Sequence, residues 1–193
     1  MTAAPMRHHD RCVVVSGLPA SGKSTVARAL ASALCFDLLD KDDFLEARFK
    51  SCSVGDAAQR RRLSADADIE FQQRAETSRS VVLTSWWKHP LSAADSGTRT
   101  DWLIAMKGSL VEVHCHCSAS IAASRFLARA RHPGHLDGSW TRAELLASFA
   151  RQAPFGPLGI CPVVLVNTEV EWNIGLLLAH VHGALAACAD NRA

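Results

Sequence analysis

The 193-residue sequence has no internal repeat, no low-complexity tract and no shift in composition that would mark a domain boundary. Those absences argue against repeat arrays and leave one domain, long enough for a real core. An excess of charge is missing too. The 21 Lys and Arg against 19 Asp and Glu give +2, too little to argue for a nucleic-acid or membrane partner. Seven cysteines (Cys12, Cys35, Cys52, Cys115, Cys117, Cys161 and Cys188) are scattered and odd in number, so no disulfide framework is expected. The opening ten residues lack the apolar run of a secretory signal. Residues 1–11 read as a flexible leader and 12–193 as a single domain. The apolar stretch 174–188 is short for a membrane span and contains His180 and His182, which favours a packed helix. A reducing cytoplasm is the expected setting, with a monomer or homodimer as the expected state.

What is present is an alternation of short β-branched runs with longer helical stretches, the mark of an α/β sheet. Residues 12–16 form an apolar run suited to a strand covered on both faces. Residues 23–34 predict an alanine-rich helix and 36–39 a second strand. Residues 43–78 predict helix with a break near 53–55. Further strands are expected at 80–84, 110–117 and 163–166, and a last helix at 172–189. Two glycines and a proline within 132–139 predict a loop or lid.

The segment Gly17-Leu18-Pro19-Ala20-Ser21-Gly22-Lys23-Ser24 matches G-x-x-x-x-G-K-[ST] in full, with Thr25 behind it. A strand enters it and a helix leaves it, as a phosphate-binding loop requires. Glycines let successive backbone N–H groups turn towards phosphate oxygens, and the helix N-terminus adds partial positive charge. Lys23 is expected on the β- and γ-phosphates and Ser24 on Mg²⁺. The expected cofactors are therefore ATP and Mg²⁺. No N-K-x-D motif for reading guanine is present.

Asp40-Lys41-Asp42-Asp43 follows the second strand, at the carboxyl edge where such sheets bind ligands. Asp40 is placed to serve the metal and Asp42 to accept a proton from an attacking hydroxyl. Asp43 reads as the cap of the following helix.

The phosphate loop followed by Asp40-Lys41-Asp42 resembles the small P-loop kinases, a group that includes shikimate and gluconate kinases, chloramphenicol phosphotransferase and nucleoside monophosphate kinases. The resemblance runs from residue 12 to 167. It implies a P-loop NTPase fold, three-layer α/β/α with a five-stranded parallel sheet and a helical lid near 125–140. It also implies Mg-ATP as donor and Asp42 as base or acceptor ligand. One departure stands out: strand three ends in Thr84-Ser85 where many P-loop proteins carry an aspartate, which leaves the metal to Ser24 and Asp40 and argues against a large motor-type ATPase. The resemblance places Arg125, Arg129 and Arg131 in or before the lid, one near adenine and others on the transferring phosphate, with Arg125 and Arg129 ranked first. Guanidinium groups suit that task because they bond two phosphate oxygens at once.

Other candidates lie at the carboxyl edge. Trp86 and Trp87 could wall an acceptor, with core packing the rival explanation. Arg99 could meet an acceptor anion. His132 and His135 have H-x-x-H spacing but no further ligand close in sequence, so a lid turn or acceptor contact is expected. His114-Cys115-His116-Cys117 alternates on a strand, which puts histidines and cysteines on opposite faces and favours plain strand residues. Arg60-Arg61-Arg62 fans around a helix and reads as solvated. Asn167 either borders the base or simply ends a strand.

These residues predict an ATP-dependent phosphotransferase acting on a hydroxyl of a sugar, antibiotic or related metabolite. The alternatives are a nucleoside monophosphate kinase and a non-transferring ATP-binding switch; near-neutral charge counts against a kinase of nucleic-acid ends.

Overall fold

The computed structural model describes residues 11–190, apart from Ser53, Asp95 and Lys107; residues 1–10 of the expected leader lie outside the described residues. Valine- and leucine-rich runs make five parallel strands: β1 (Arg11–Gly17), β2 (Asp37–Asp40), β3 (Ser80–Thr84), β4 (Ser109–His116) and β5 (Val163–Asn167), in the order β2-β3-β1-β4-β5. Side chains of the central strands alternate between two covered faces, whereas edge strand β5 leaves Val163 and Leu165 exposed on one side. Val13, Val15, Val111, Val113 and Val166 face α1 (Lys23–Leu34) and α7 (Ile174–Asp190), where Val26, Leu30 and Val181 close the core. Cys12, Val14, Val81, Leu83 and Leu110 face the other way, towards Phe71 of α3 (Ala57–Thr77) and Leu103 of α4 (Asp101–Ala105). This is a three-layer α/β/α sandwich. Burying each such side chain contributes about 1.5–3 kcal/mol.

The other helices lie above the carboxyl edge of the sheet and at its flanks. Helix α2 (Lys41–Ser51) packs on α3 through Leu45, Phe49 and Ala67. Helix α5 (Ala119–Ala128) packs on α6 (Arg142–Gln152) through Phe126, Leu145 and Phe149. Between α5 and α6 the chain makes two 3-10 turns, Pro133–His135 and Asp137–Ser139, in the segment expected to be a loop or lid. Among the described residues no helix is long and apolar enough to cross a membrane.

Several boundaries shift by one or two residues, with Arg11 of the expected leader opening β1, and two of the shifts have a clear physical reason. Helix α2 starts at Lys41 because the carboxylate of Asp40, still in extended conformation, accepts the N–H of Asp42 at 3.1 Å; Asp40, not Asp43, is the cap. Strand β2 also begins one residue late, since Phe36 goes to the core below α1. Central β1 has β3 on one side and β4 on the other, so the chain leaving β1 opens into the crevice where the sheet reverses direction.

Candidate active site

The turn after β1 is shaped by backbone requirements. Gly17 has φ 132°, and a Cβ there would lie 2.4 Å from the carbonyl oxygen of Cys115 on β4. Only glycine fits. Gly22 has φ 91° and stands at the start of α1, where no side chain caps the helix. The first N–H groups of α1 therefore face outward without an internal side-chain acceptor, an arrangement suited to an anion. Lys23 donates from Nζ to the carbonyls of Leu18 (2.7 Å) and Gly17 (3.1 Å). Burial draws its pKa below the ordinary lysine value, while the fields of Cys115, Asp42 and Asp40 pull it back up. The Ser21 hydroxyl is buried with no partner. An uncapped helix start, an orphaned hydroxyl and a parked ammonium together fit a polyphosphate.

Beside this loop, Ser24 donates from Oγ to Asp40 Oδ2 at 2.7 Å. Two oxygen ligands thus meet where Mg²⁺ would be held between protein and phosphate. Asp40 lies in register with Thr84 of β3, so the carboxylate missing from the end of β3 is provided by the neighbouring strand. Burial raises the Asp40 pKa, and the Ser24 hydrogen bond works against that rise.

Asp42 stands two residues on, in the first turn of α2, and forms a salt bridge with Arg131. Arg131 also reaches Asp137 at 3.2 Å, as does Arg129. The Arg129 guanidinium lies over the Phe126 ring, 4.2 Å from its centroid, and its Nε is buried without a partner. Arg60 donates to the His135 carbonyl at 3.1 Å and lies in the field of Arg131, Asp137 and Asp42. Arg125 is set apart, donating to the Thr168 carbonyl at 2.7 Å. Thr168 in turn donates from Oγ1 to the Ser21 carbonyl at 2.7 Å, which ties the segment after β5 to the phosphate loop. Asn167 is exposed, and its side chain accepts the Glu169 N–H at 2.9 Å.

A cavity of about 600 Å³ opens on the other flank of the loop, between the chain after β3, the end of β4 and the end of α6. Gly17 and Leu18 border it, as do Trp86, Trp140, His114 and Arg151. The two expected tryptophans differ. Trp86 is half exposed, whereas Trp87 is 5% exposed, packs against Phe71 and Trp102, and spends its indole N–H on the Val15 carbonyl at 2.9 Å. Arg99 is exposed, paired with Asp101, and away from the cavity lining. His132 caps its own 3-10 turn by accepting the Gly134 N–H at 3.1 Å and stacks on Phe49. His135 is buried against the edge of the same ring and bonds Glu46 at 2.9 Å. Among the described residues no group of three or more His, Cys, Asp or Glu side chains is arranged to hold a metal.

Four residues escaped the sequence reading or were ranked low by it. Arg131, placed behind Arg125 and Arg129, is the one that meets Asp42. Arg60 is not a solvated residue but docks on the turn at His135. Thr168 holds the phosphate loop. Glu112, on β4, is fully buried and accepts the Ser16 hydroxyl and the N–H groups of Leu158 (2.9 Å) and Gly159 (3.3 Å). An acid within an apolar strand was its one available signal, since such a charge must find partners.

Comparison with known proteins follows this geometry. The family model described as AAA domain matches residues 12–152, most of the chain. A solved structure named as a "putative kinase" from Chloroflexus aurantiacus j-10-fl is 26% identical, with a TM-score of 0.74 over 92% of this chain and 100% of that one. Shikimate kinase from Bacteroides thetaiotaomicron is 20% identical, with a TM-score of 0.58 over 91% and 98% of the two chains. A gluconokinase from Sinorhizobium meliloti 1021 is 22% identical, with a TM-score of 0.53 over 96% and 97%. No curated protein sequence matches the chain. The family match, the sheet order and the phosphate loop agree: the chain belongs to the AAA-domain family and has the α/β P-loop fold shared by the kinases it resembles.

Proposed function

We propose that this protein is a small-molecule kinase that transfers the γ-phosphoryl group of Mg-ATP to a hydroxyl of its acceptor. The observation that carries this reading is the Ser24–Asp40 pair at 2.7 Å beside Lys23, with a second carboxylate, Asp42, one helical step away. Phosphoryl transfer asks a protein mainly for positioning and charge stabilisation. Around Pro19, in the loop from Gly17 to Thr25, the backbone N–H groups of Ala20, Gly22 and Lys23 and the unpartnered Ser21 hydroxyl cradle the phosphates, while the Ser21 and Thr25 N–H groups brace the loop on the Leu18 and Gly22 carbonyls. Lys23 leaves the Gly17 and Leu18 carbonyls for the β- and γ-phosphates. Ser24 and Asp40 would hold Mg²⁺, which would supply charge neutralisation.

Asp42 takes the proton of the acceptor hydroxyl as that oxygen bonds to the γ-phosphorus and the bond to the β–γ bridging oxygen breaks. Its salt bridge to Arg131 fixes the carboxylate towards the loop. Arg129 faces the transferring group, and Arg125 with Asn167 and Thr168 borders the base. Trp86 walls the acceptor, with Trp87 behind it as support. His132 and His135 set the turn that carries Arg131. Arg99, paired with Asp101 away from the cavity lining, takes no part in this reading.

A nucleoside monophosphate acceptor is the second reading, favoured by the convergence of Arg60, Arg129 and Arg131 near Asp42. An ATP-consumption screen across hydroxylated small molecules and nucleoside monophosphates tests both. With the acceptor so found, Asp42→Asn should abolish transfer while leaving ATP affinity within twofold; unchanged transfer in that variant would remove Asp42 as the base.

A further inference from the structure

The cavity beside the phosphate loop has a buried polar floor that the transfer chemistry does not use. On adjacent strands in register, Ser16 of β1 pairs with His114 of β4, and Glu112 lies two residues before His114 on the same face. Glu112 is enclosed completely and ionised: burial alone would raise its pKa, but the His114 ring, with Nδ1 3.8 Å from Oε1, and hydrogen bonds from Ser16, Leu158 and Gly159 outweigh burial and hold it below the ordinary value. An ionised carboxylate only accepts hydrogen bonds. The single proton of the Ser16 hydroxyl is therefore committed to Glu112 Oε1.

That commitment fixes the next group. His114 Nδ1 lies 2.8 Å from Ser16 Oγ. Because the hydroxyl proton points the other way, Nδ1 must carry the proton and Ser16 Oγ must accept it. In the neutral ring Nε2 is then a bare acceptor, and His114 lines the cavity. The neighbouring His89 has no such freedom: its Nε2 donates to the Pro157 carbonyl at 2.8 Å and its Nδ1 accepts the Leu91 N–H at 3.1 Å. Of the three histidines that line the cavity, His89 is spent and His116 is exposed, so His114 is the buried one that offers a nitrogen to a ligand.

The walls indicate what the rest of that ligand is. Trp86 and Trp140, each more than two-fifths exposed, face the cavity with Phe155. Flat apolar faces around a buried acceptor select a ring with a hydrogen-bond donor at its buried end. We infer that this cavity binds a ring-bearing molecule through an O–H or N–H donated to His114 Nε2, with Ser16 and Glu112 as positioning residues that lock the tautomer. Gly17 and Leu18 border the cavity and also hold the Lys23 ammonium, so a ligand seated there lies beside the phosphate loop. That it is the phosphoryl acceptor rests on the kinase reading above; that it binds does not.

The test uses phenol and anisole, two rings of nearly equal shape of which only phenol donates. Ring nitrogen NMR of the intact protein should show His114, assigned by its loss in His114→Leu, as the Nδ1–H tautomer. Phenol should shift Nε2 and bind about tenfold more tightly than anisole, the worth of roughly one hydrogen bond. The preference should vanish in His114→Leu and shrink in Ser16→Ala, which frees the tautomer. Equal binding of the two probes to the wild-type protein, or an Nε2–H tautomer in it, overturns the inference even where a variant fails to fold. Discrimination without any phosphoryl transfer would sink the kinase reading alone, and transfer without discrimination would sink this inference alone.

Discussion

The two flanks of the phosphate loop are built by different means. On the donor flank, residues 17–25 and 40–42 do nearly everything, largely with main-chain groups whose directions follow from glycine φ angles and a helix start. On the cavity flank, side chains arrive from β1, the chain after β3, the end of β4 and the end of α6, spread from Ser16 to Leu158. On the proposed function the donor flank handles a constant group, a triphosphate, with a contiguous motif that other segments only brace, as Thr168 does. The cavity flank handles a variable group, and its shape depends on how distant segments pack. One loop joins the two.

Mutations can break that comparison in order of size. Lys23→Ala should lower the transfer rate by about three orders of magnitude, the scale for losing a charge that stabilises the transition state, with folding unchanged; a rate within tenfold of wild type by single-turnover assay would deny the donor flank its role. Trp87→Ala should cost about 3–5 kcal/mol of stability, because it deletes a buried aromatic and leaves the Val15 carbonyl unpaired; thermal unfolding reads this. Asp42→Asn should reduce transfer about 10²–10⁴-fold, the usual contribution of a general base, with no more than about 1 kcal/mol of stability lost along with the Arg131 salt bridge.

Glu112→Gln sharpens the contrast by touching the cavity flank alone. It should destabilise by about 1.5–3 kcal/mol through weakened hydrogen bonds to a charged group. The folded-state pKa of Glu112 lies below the ordinary 4.5, so its contribution is full above that value and is lost as the pH falls through the lowered one. The stability gap between wild type and Glu112→Gln should therefore be constant near neutral pH and close below pH 4.5 in chemical denaturation. Trp86→Ala is the mildest: an acceptor KM raised about tenfold, or ~1.4 kcal/mol, with a melting temperature close to wild type. Equal losses of stability in Trp86→Ala and Trp87→Ala would erase the distinction between wall and core.

Much of the donor flank was legible because its determinants are contiguous. The α1 boundaries and β3 were read at 23–34 and 80–84 and stand there, since helix period, strand composition and the motif all act over a few residues. The cavity flank was legible only in fragments. Trp86 and Trp87 are chemically identical in sequence, and it is strand alternation against Phe71 and Trp102 that buries one of them. Arg60, Arg61 and Arg62 point in three directions around α3, and which one turns inward depends on where the turn at His135 docks. Arg131 lies past the end of α5, so helical spacing gave no guide to its direction. Glu112 was hidden because the apolar run around it reads as an ordinary strand.

One hydroxyl described above sets where this chain tolerates editing. Thr168 Oγ1 donates to the Ser21 carbonyl of the phosphate loop and lies 3.1 Å from the His116 carbonyl of β4, while its methyl lies 3.6 Å from where a Gly22 Cβ would stand. A single residue inserted between Asn167 and Thr168 would move that hydroxyl by more than a bond length and release the loop from two strands at once. The same insertion beside exposed Gly138 would instead lengthen the turn between Asp137, the partner of Arg129 and Arg131, and Trp140 of the cavity wall. The short step out of β5 has to keep its length.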